Sequence, residues 1–359
     1  MNNKNVIFWT KGIDQLIAEN RNVGGLTVQM YFWAKTFFTN DWNVYSFSDV
    51  KEDNIQGIAF LKFPTKRYIG IFVEIFLTMF YILKIRPDVI IIRGAGRSLS
   101  YLSFFSRIFS VKLIFMGASD TDFIPGEELI KANHDKKLFR TGLRRVKNFI
   151  VQNTFQQDML RKNYNKNNSL IIPNIWLNET SYSGKKENIN KEFQNHILWV
   201  SNFRKLKRPE WFIELAKQLP QYEFVMVGGA IDSTLFEKCK AETSGVLNLH
   251  FLGRRPLNYV NQLFKTARVF VCTSEIEGFP NTFLQAWANN VPVITTFDPD
   301  GIISKQNLGA VVTNLSELKS TLEALNENNK YKSVQENIKG YFSTNHDAQY
   351  AYHLIQRFI

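Results

Sequence analysis

Cysteine is almost missing: Cys239 and Cys272 are the only two in 359 residues. Two cannot build a disulfide framework, which favours a reducing compartment, and Cys272 sits in an apolar run as a small core residue. Histidine is scarce too. His134, His196, His250, His346 and His353 are scattered without metal-ligand or triad context, so surface or core positions account for them. There is no Walker loop, no G-x-G-x-x-G after the first apolar strand and no serine-centred nucleophile motif. No apolar run reaches the about 20 residues a membrane span needs. The nearest, Ile69 to Leu83, is fifteen residues long, contains Glu74 and Thr78, and reads as a buried or membrane-facing helix. Val6 to Trp9 is far too short for a signal-peptide core. Disordered and collagen-like compositions are absent as well.

A chain of this length exceeds one ordinary core, so two α/β domains are expected. Charge is uneven: residues 1–177 hold 24 Lys and Arg against 14 Asp and Glu, whereas residues 178–359 hold 20 against 18. A basic N-terminal half suits an anionic partner such as membrane headgroups, a diphosphate-linked lipid or nucleic acid, and equally suits a solvated basic surface. No nucleic-acid-binding motif accompanies it.

Short, unalternating apolar strands recur between helical segments. In the first half they are Asn5 to Thr10, Asn43 to Phe47, Val89 to Ile92, Val111 to Met116 and Phe149 to Val151. Helices are expected at Leu26 to Phe38, Ile69 to Ile85 and Ser98 to Phe109. Residues 178–195 are polar, have no apolar period and read as a linker. A second series follows, with strands at Ile197 to Val200, Glu223 to Val227, Asn248 to Leu252, Val269 to Cys272 and Val291 to Thr295. Buried strands alternating with helices predict parallel sheets covered on both faces. The expected division is 1–177, a linker at 178–195, 196–334, and a helical segment at 335–359.

The strongest local pattern runs from Ser274 to Trp287, directly after a buried strand and into a helix. Such a turn presents backbone N–H groups at the positive end of a helix dipole, where a diphosphate binds well. There a carboxylate at Glu277 can accept sugar hydroxyls, and Gln285 can bond a ribose. A purely structural alternative stands beside this: Thr282 as N-cap and Gln285 as its reciprocal partner form a capping box. A second pattern, Trp199 to Pro209, carries Arg204, Lys205, Lys207 and Arg208 between strand and helix, with Pro209 at the first helical position. Cations here would neutralise charge on a departing nucleoside diphosphate, or merely form a basic solvated loop. Gly24-Gly25, Gly228-Gly229 and Gly253-Arg254 follow strands, where open α/β sheets bind ligands and where tight turns also occur. Asp120-Thr121-Asp122 could hold a divalent metal, but Asp298-Pro299-Asp300 repeats that cheap spacing.

The segment Glu277-Gly278-Phe279, with Ala286, Ala288 and Val291-Pro292-Val293 behind it, resembles the signature of the family-4 retaining glycosyltransferases, the "glycosyl transferases group 1" family. The resemblance is specific over residues 196–300 and topological over 1–177. Where the family's second glutamate contacts the ribose, this chain has Gln285, which keeps hydrogen bonding but loses charge. A family histidine near the donor sugar also has no counterpart; His134 is the closest.

The resemblance implies a GT-B fold: two Rossmann-like domains facing across a cleft, with the last helix returning to the first. It implies transfer of a sugar from a nucleoside-diphosphate sugar, UDP- or GDP-linked, to an acceptor hydroxyl with retention and without a metal. Glu277, Lys207, Arg204 and Asp120 are the expected catalytic group. Gly24, Gly25, Gly228, Gly253, Arg254, Gly278, Phe279, Asn281, Thr282 and Gln285 are the expected substrate contacts. The acceptor would be a glycan or lipid-linked glycan in bacterial surface-polysaccharide synthesis, handled in the cytoplasm or on the inner face of the cell membrane. The basic half would contact an anionic membrane there, and no nucleic-acid partner is expected. Two rivals are a metal-dependent transferase using Asp120 and Asp122, and a non-catalytic nucleotide or nucleic-acid binding protein.

Overall fold

The computed structural model describes residues 3–18, 23–49, 53–63, 70–177, 193–325 and 328–359. Most of the expected linker, residues 178–192, lies outside them. The chain forms two compact units, residues 1–180 with 346–359, and residues 181–345.

The first unit runs β1 (Asn5–Lys11), α1 (Ile13–Ala18), α2 (Gly25–Phe38), β2 (Asn43–Ser48), β3 (Asp53–Ile55), β4 (Ile58–Lys62), α3 (Ile71–Ile85) and β5 (Val89–Arg93). It continues with α4 (Ser98–Ile108), β6 (Lys112–Met116), α5 (Asn133–Arg145), β7 (Asn148–Val151), α6 (Thr154–Tyr164) and β8 (Ser169–Ile171). The strands form one sheet in the order β3-β4-β2-β1-β5-β6-β7-β8. All neighbours are parallel except the β3–β4 hairpin. Strand β5 is buried along its whole length because Val89 to Ile92 meet helices on both sides. Ile90, Ile92, Phe115 and Phe149 lie in one core with Leu102, Phe139 and Leu143 from α4 and α5.

The second unit runs β9 (His196–Val200), α7 (Pro209–Gln218), β10 (Phe224–Val227), α8 (Ser233–Glu242), β11 (Leu249–Gly253), α9 (Leu257–Thr266) and β12 (Ala267–Cys272). Then come α10 (Asn281–Trp287), β13 (Val293–Thr295), α11 (Ile302–Gln306), β14 (Gly309–Val311), α12 (Leu315–Ala324) and α13 (Asn328–Asn345). Its sheet is parallel throughout, in the order β11-β10-β9-β12-β13-β14. The chain steps outward from β9 to β11, then returns to the other side of β9 with β12. That reversal opens a crevice at the carboxyl ends of β9 and β12, the place where such sheets bind ligands.

The last helix, α14 (Ala348–Ile355), belongs to the first unit. The crossing falls at His346 rather than at Gln335, because Val334 and Ile338 of α13 are buried and hold that helix in the second unit. Trp176 N–H donates to His346 O at 3.0 Å, and His346 Nδ1 meets Asn174 O at 2.8 Å. Trp42 Nε1 then donates to Tyr352 Oη at 2.7 Å, and Tyr352 packs edge-on against Phe37 of α2.

Candidate active site

The loops after β9 and β12 are bonded to each other. Glu275 N–H donates to Leu206 O at 2.9 Å, and Thr273 Oγ1 donates to Lys207 O at 2.6 Å. Trp199 Nε1 reaches the same hydroxyl at 3.1 Å from inside the sheet. Arg208 adopts a left-handed backbone conformation, φ 44°, just before Pro209 starts α7. Its Nε donates to Thr273 O at 2.8 Å, and its guanidinium stacks 4.3 Å from the Trp211 ring centroid.

These bonds bring Lys207 and Glu277 together. Lys207 Nζ donates to Glu277 Oε1, and Ser274 Oγ donates to the same oxygen at 3.0 Å. Both charged side chains are partly buried, so their attraction is screened less than that of a surface pair. One cation and one carboxylate thus meet at the end of the sheet crevice. A cation suits phosphate oxygens; a carboxylate suits sugar hydroxyls. Arg204 stands exposed at the head of the short 3₁₀ turn Lys205–Lys207, and its carbonyl accepts from Lys207 N–H at 2.9 Å.

The neighbouring strand ends close the floor. Phe203 N–H donates to Gly229 O at 2.9 Å, and Gly228 N–H to Gly253 O at 3.0 Å. A Cβ on Gly228 would lie 1.8 Å from Ser201 O, so no larger residue fits there without moving backbone. A Cβ on Gly229 would come 3.0 Å from Asn202 Oδ1 and 3.2 Å from Arg254 Nε. The β9, β10 and β11 loops therefore converge, with Arg254 exposed at their rim.

Helix α10 departs from the capping-box expectation. Its N-cap is Pro280 and no side chain caps it; Thr282 already lies inside the helix. Proline fixes φ near the value a helix start accepts, so the turn begins before Thr282 can cap it. Gln285 is buried and donates to Asn261 Oδ1 at 2.7 Å, a tie to α9 rather than a reach backwards. The Phe279 ring is buried, 6.1 Å from the Trp287 ring centroid, so its side chain belongs to the core. Gly278 is half-buried beside Glu277, and Asn281 begins the helix.

Gly24, Gly25, Asp120 and Asp122 belong to the first unit. Gly24 caps α2 with φ −67°, and a Cβ there would meet nothing within 4 Å. Asp122 is buried and completes a capping box with Ser119: its Oδ2 accepts from Ala118 N–H at 2.8 Å and Ser119 N–H at 3.1 Å. Burial pushes its carboxyl up to about 6. Asp120 Oδ1 accepts from Asn153 Nδ2 at 3.1 Å and Gln156 Nε2 at 3.0 Å. The two carboxylates thus accept from different protein partners. Among the described residues, no group of three or more His, Cys, Asp or Glu side chains is placed to hold a metal.

Two contributors, Thr273 and Asn261, went unread in the sequence, and two more, Ser274 and Arg208, stood inside the quoted patterns without an assigned role. Thr273-Ser274 at a strand end and Arg208 before Pro209 carry a local signal. Asn261 lies on another helix, and only the fold brings it to Gln285.

Residues 194–328 match the model of the family described as "Glycosyl transferases group 1". A curated relative, the O-antigen biosynthesis glycosyltransferase WbnH of Escherichia coli, is 31% identical over 105 residues. That alignment spans 29% of this chain and 29% of the relative. Solved structures match along the whole chain. Sucrose-phosphate synthase from Thermosynechococcus elongatus has a TM-score of 0.76 at 13% identity, covering 99% of this chain and 98% of that one. WaaG, a glycosyltransferase involved in lipopolysaccharide biosynthesis, has a TM-score of 0.70 at 17% identity, covering 98% and 99%. The fold is GT-B.

Proposed function

We propose that this chain is a glycosyltransferase that moves a sugar from a nucleoside-diphosphate sugar to an acceptor hydroxyl with retention, in the synthesis of a bacterial surface polysaccharide such as O-antigen. The single observation that carries the reading is the Lys207–Glu277 pair at the carboxyl ends of β9 and β12, inside the segment that matches the family. A fold alone hosts many chemistries, so the weight rests on these side chains.

In this reading the diphosphate enters beside Lys207 and Arg204, and the donor sugar lies against Glu277. Phosphate oxygens take up the lysine as the pair separates, leaving the Glu277 carboxylate to accept sugar hydroxyls. As the glycosidic C–O bond to the diphosphate breaks, negative charge grows on the leaving oxygen. A preplaced cation stabilises that charge more than it stabilises the bound donor, which is what accelerates the step. The backbone around Phe279 and Asn281, Gly278, Thr282, Gln285, Gly228, Gly253 and Arg254 border the donor. Gly24, Gly25 and Asp120, in the first unit, are assigned to substrate binding. The acceptor is a glycan or lipid-linked glycan, and the basic half meets an anionic membrane.

Initial rates with UDP- and GDP-sugars test this. Lys207→Ala should lower kcat by about 100-fold, as loss of one preorganised charge partner typically does. Unchanged turnover removes the role given to Lys207. Activity should survive EDTA; loss on chelation, restored by a divalent cation, would favour a metal held by Asp120 and Asp122.

A further inference from the structure

Helix α3 is apolar on the side that faces water. Phe72, Val73, Phe76, Phe80 and Leu83 are all exposed, Phe72 by 83% and Phe76 by 58%. Their spacing places them on one stripe, opposite the buried Thr78, Tyr81, Ile82 and Ile85. The single acid of the helix, Glu74, turns away to the neighbouring helix: Arg97 Nε donates to it at 3.1 Å and Tyr101 Oη at 3.0 Å. Phe104 and Ile108 of α4 are exposed too, and they follow Tyr101 by three and seven residues on its side of that helix. Exposed apolar side chains thus occur on both α3 and α4, two helices tied together through Glu74. Soluble monomers rarely present so much exposed apolar surface without a partner.

Cations border it. Lys84 ends α3 with its Nζ 5.9 Å from the Phe80 ring centroid, and Arg86, Arg107 and Lys112 are exposed at the same end of the two helices. Beyond α4 lies α5, whose Gly142 packs on the Leu99 backbone. That helix carries Lys136, Lys137, Arg140, Arg144 and Arg145 against Asp135 alone. Asp88, two residues past Arg86, is engaged by Asn5 N–H at 2.8 Å.

We propose that the outer face of α3 and α4 is a docking surface for an anionic lipid bilayer. Phe72, Phe76 and Phe80 enter the boundary between headgroups and acyl chains, while the cations of α3, α4 and α5 meet the lipid phosphates. The choice of partner rests on charge. Two copies of this chain would oppose basic rims, and a neutral protein groove would leave those cations unused, whereas an anionic bilayer takes both features at once. Arg and Lys stems also lie along apolar surface while their heads stay wet, which suits this rim. No described helix is long and apolar enough to cross a membrane, so the contact is in the plane of the surface. The inference deepens the membrane reading of the basic half and rests on it for the sign of the lipid. It does not depend on the donor site.

The test is co-sedimentation of the full chain with vesicles of phosphatidylcholine alone or with about 30% phosphatidylglycerol, at two salt concentrations. Wild type should pellet with the anionic vesicles, less at high salt, and hardly at all with the neutral ones. Phe76→Ser combined with Phe80→Ser should lower vesicle affinity by about ten-fold or more, because the buried apolar area sets much of the binding. Circular dichroism and the thermal shift given by a nucleoside diphosphate should match wild type, since both rings are exposed and lie in the other unit from the donor site. A second variant, Arg107→Glu with Lys112→Glu, should lose the preference for anionic vesicles. Failure of wild type to pellet with either vesicle overturns the proposal. Equal pelleting by wild type and the double-serine variant places any contact elsewhere and overturns it too. Concentration-dependent dimerisation that the serine variant abolishes, without vesicle binding, assigns the face to a second copy. None of these outcomes bears on nucleotide binding, so a failed donor-site reading would be seen separately in the thermal shift.

Discussion

Glu277 and Lys207 define the site only because residues of no catalytic appearance set the loops around them. Thr273 bonds both Trp199 and the Lys207 carbonyl, and Arg208 clamps Thr273 while stacking on Trp211. The glycine at 228 is equally specific, since the space for its Cβ is already filled by Ser201 O. Gly228→Ala should therefore lower stability by about 1–3 kcal/mol, the usual cost of overpacking, and weaken nucleotide binding through the displaced β9 loop. Urea unfolding and nucleotide titration check both parts; a variant with wild-type stability would mean the loop yields freely. Gly24 behaves differently. Its surroundings are open, so Gly24→Ala should fold normally, and any fall in rate it causes reports on substrate.

Among the elements, those with continuous apolar runs were legible in the sequence. Strands β5, β9, β10 and β12 are buried from end to end or nearly so, and hydrophobic composition alone marks them. The β3–β4 hairpin was not read, because β3 has three residues, none buried, and its pairing to β4 is purely tertiary. Helix α5 also escaped. Only Phe139, Gly142 and Leu143 of it are buried, and five cations mask that narrow face. The loops after β9 and β12 stood out because their patterns are local: a basic turn, a Glu-Gly-Phe and a proline before a helix. The capping box at Thr282 failed for the same reason that it was attractive, since a four-residue pattern does not reveal where Pro280 starts the turn. A real capping box forms instead at Ser119 and Asp122. Asp122→Ala should cost about 1–2 kcal/mol, because it strips the acceptor from two backbone N–H groups. The midpoint of urea unfolding checks this, and a stability equal to wild type would deny Asp122 that role.

At the scale of the molecule, pH acts through buried groups in both units. Burial lowers His196 in the second unit and His346 in the first to about 4. Each imidazole is neutral when folded but protonates near 6.5 when unfolded, so its stabilising effect is full above about 6.5 and is lost as pH falls toward 4. Asp122 works in the opposite direction: its raised folded value means that falling pH between about 6 and 4 favours the fold. His196 is the cleaner probe, because neither ring nitrogen has a hydrogen-bond partner among the described residues. His196→Leu should be more stable than wild type at pH 7, and the advantage should widen by up to about 3 kcal/mol toward pH 4. Parallel stability profiles for the two proteins would contradict this. The sequence conveyed the second unit in chemical detail and the first only as alternating strands and helices. The residues expected to serve the acceptor in the first unit, Gly24 and Gly25, lie in a loop whose residue types are common everywhere.

The central claim is that a pyrophosphate is gripped where β9 and β12 end. Its most direct test is a crystal structure of the full chain with a bound nucleoside diphosphate, UDP and GDP being tried in parallel. The account predicts phosphate oxygens within hydrogen-bonding distance of Lys207 Nζ, with Glu277 released from that lysine. A nucleotide seated with its phosphates away from both loops, and the Lys207–Glu277 pair intact beside it, would contradict it.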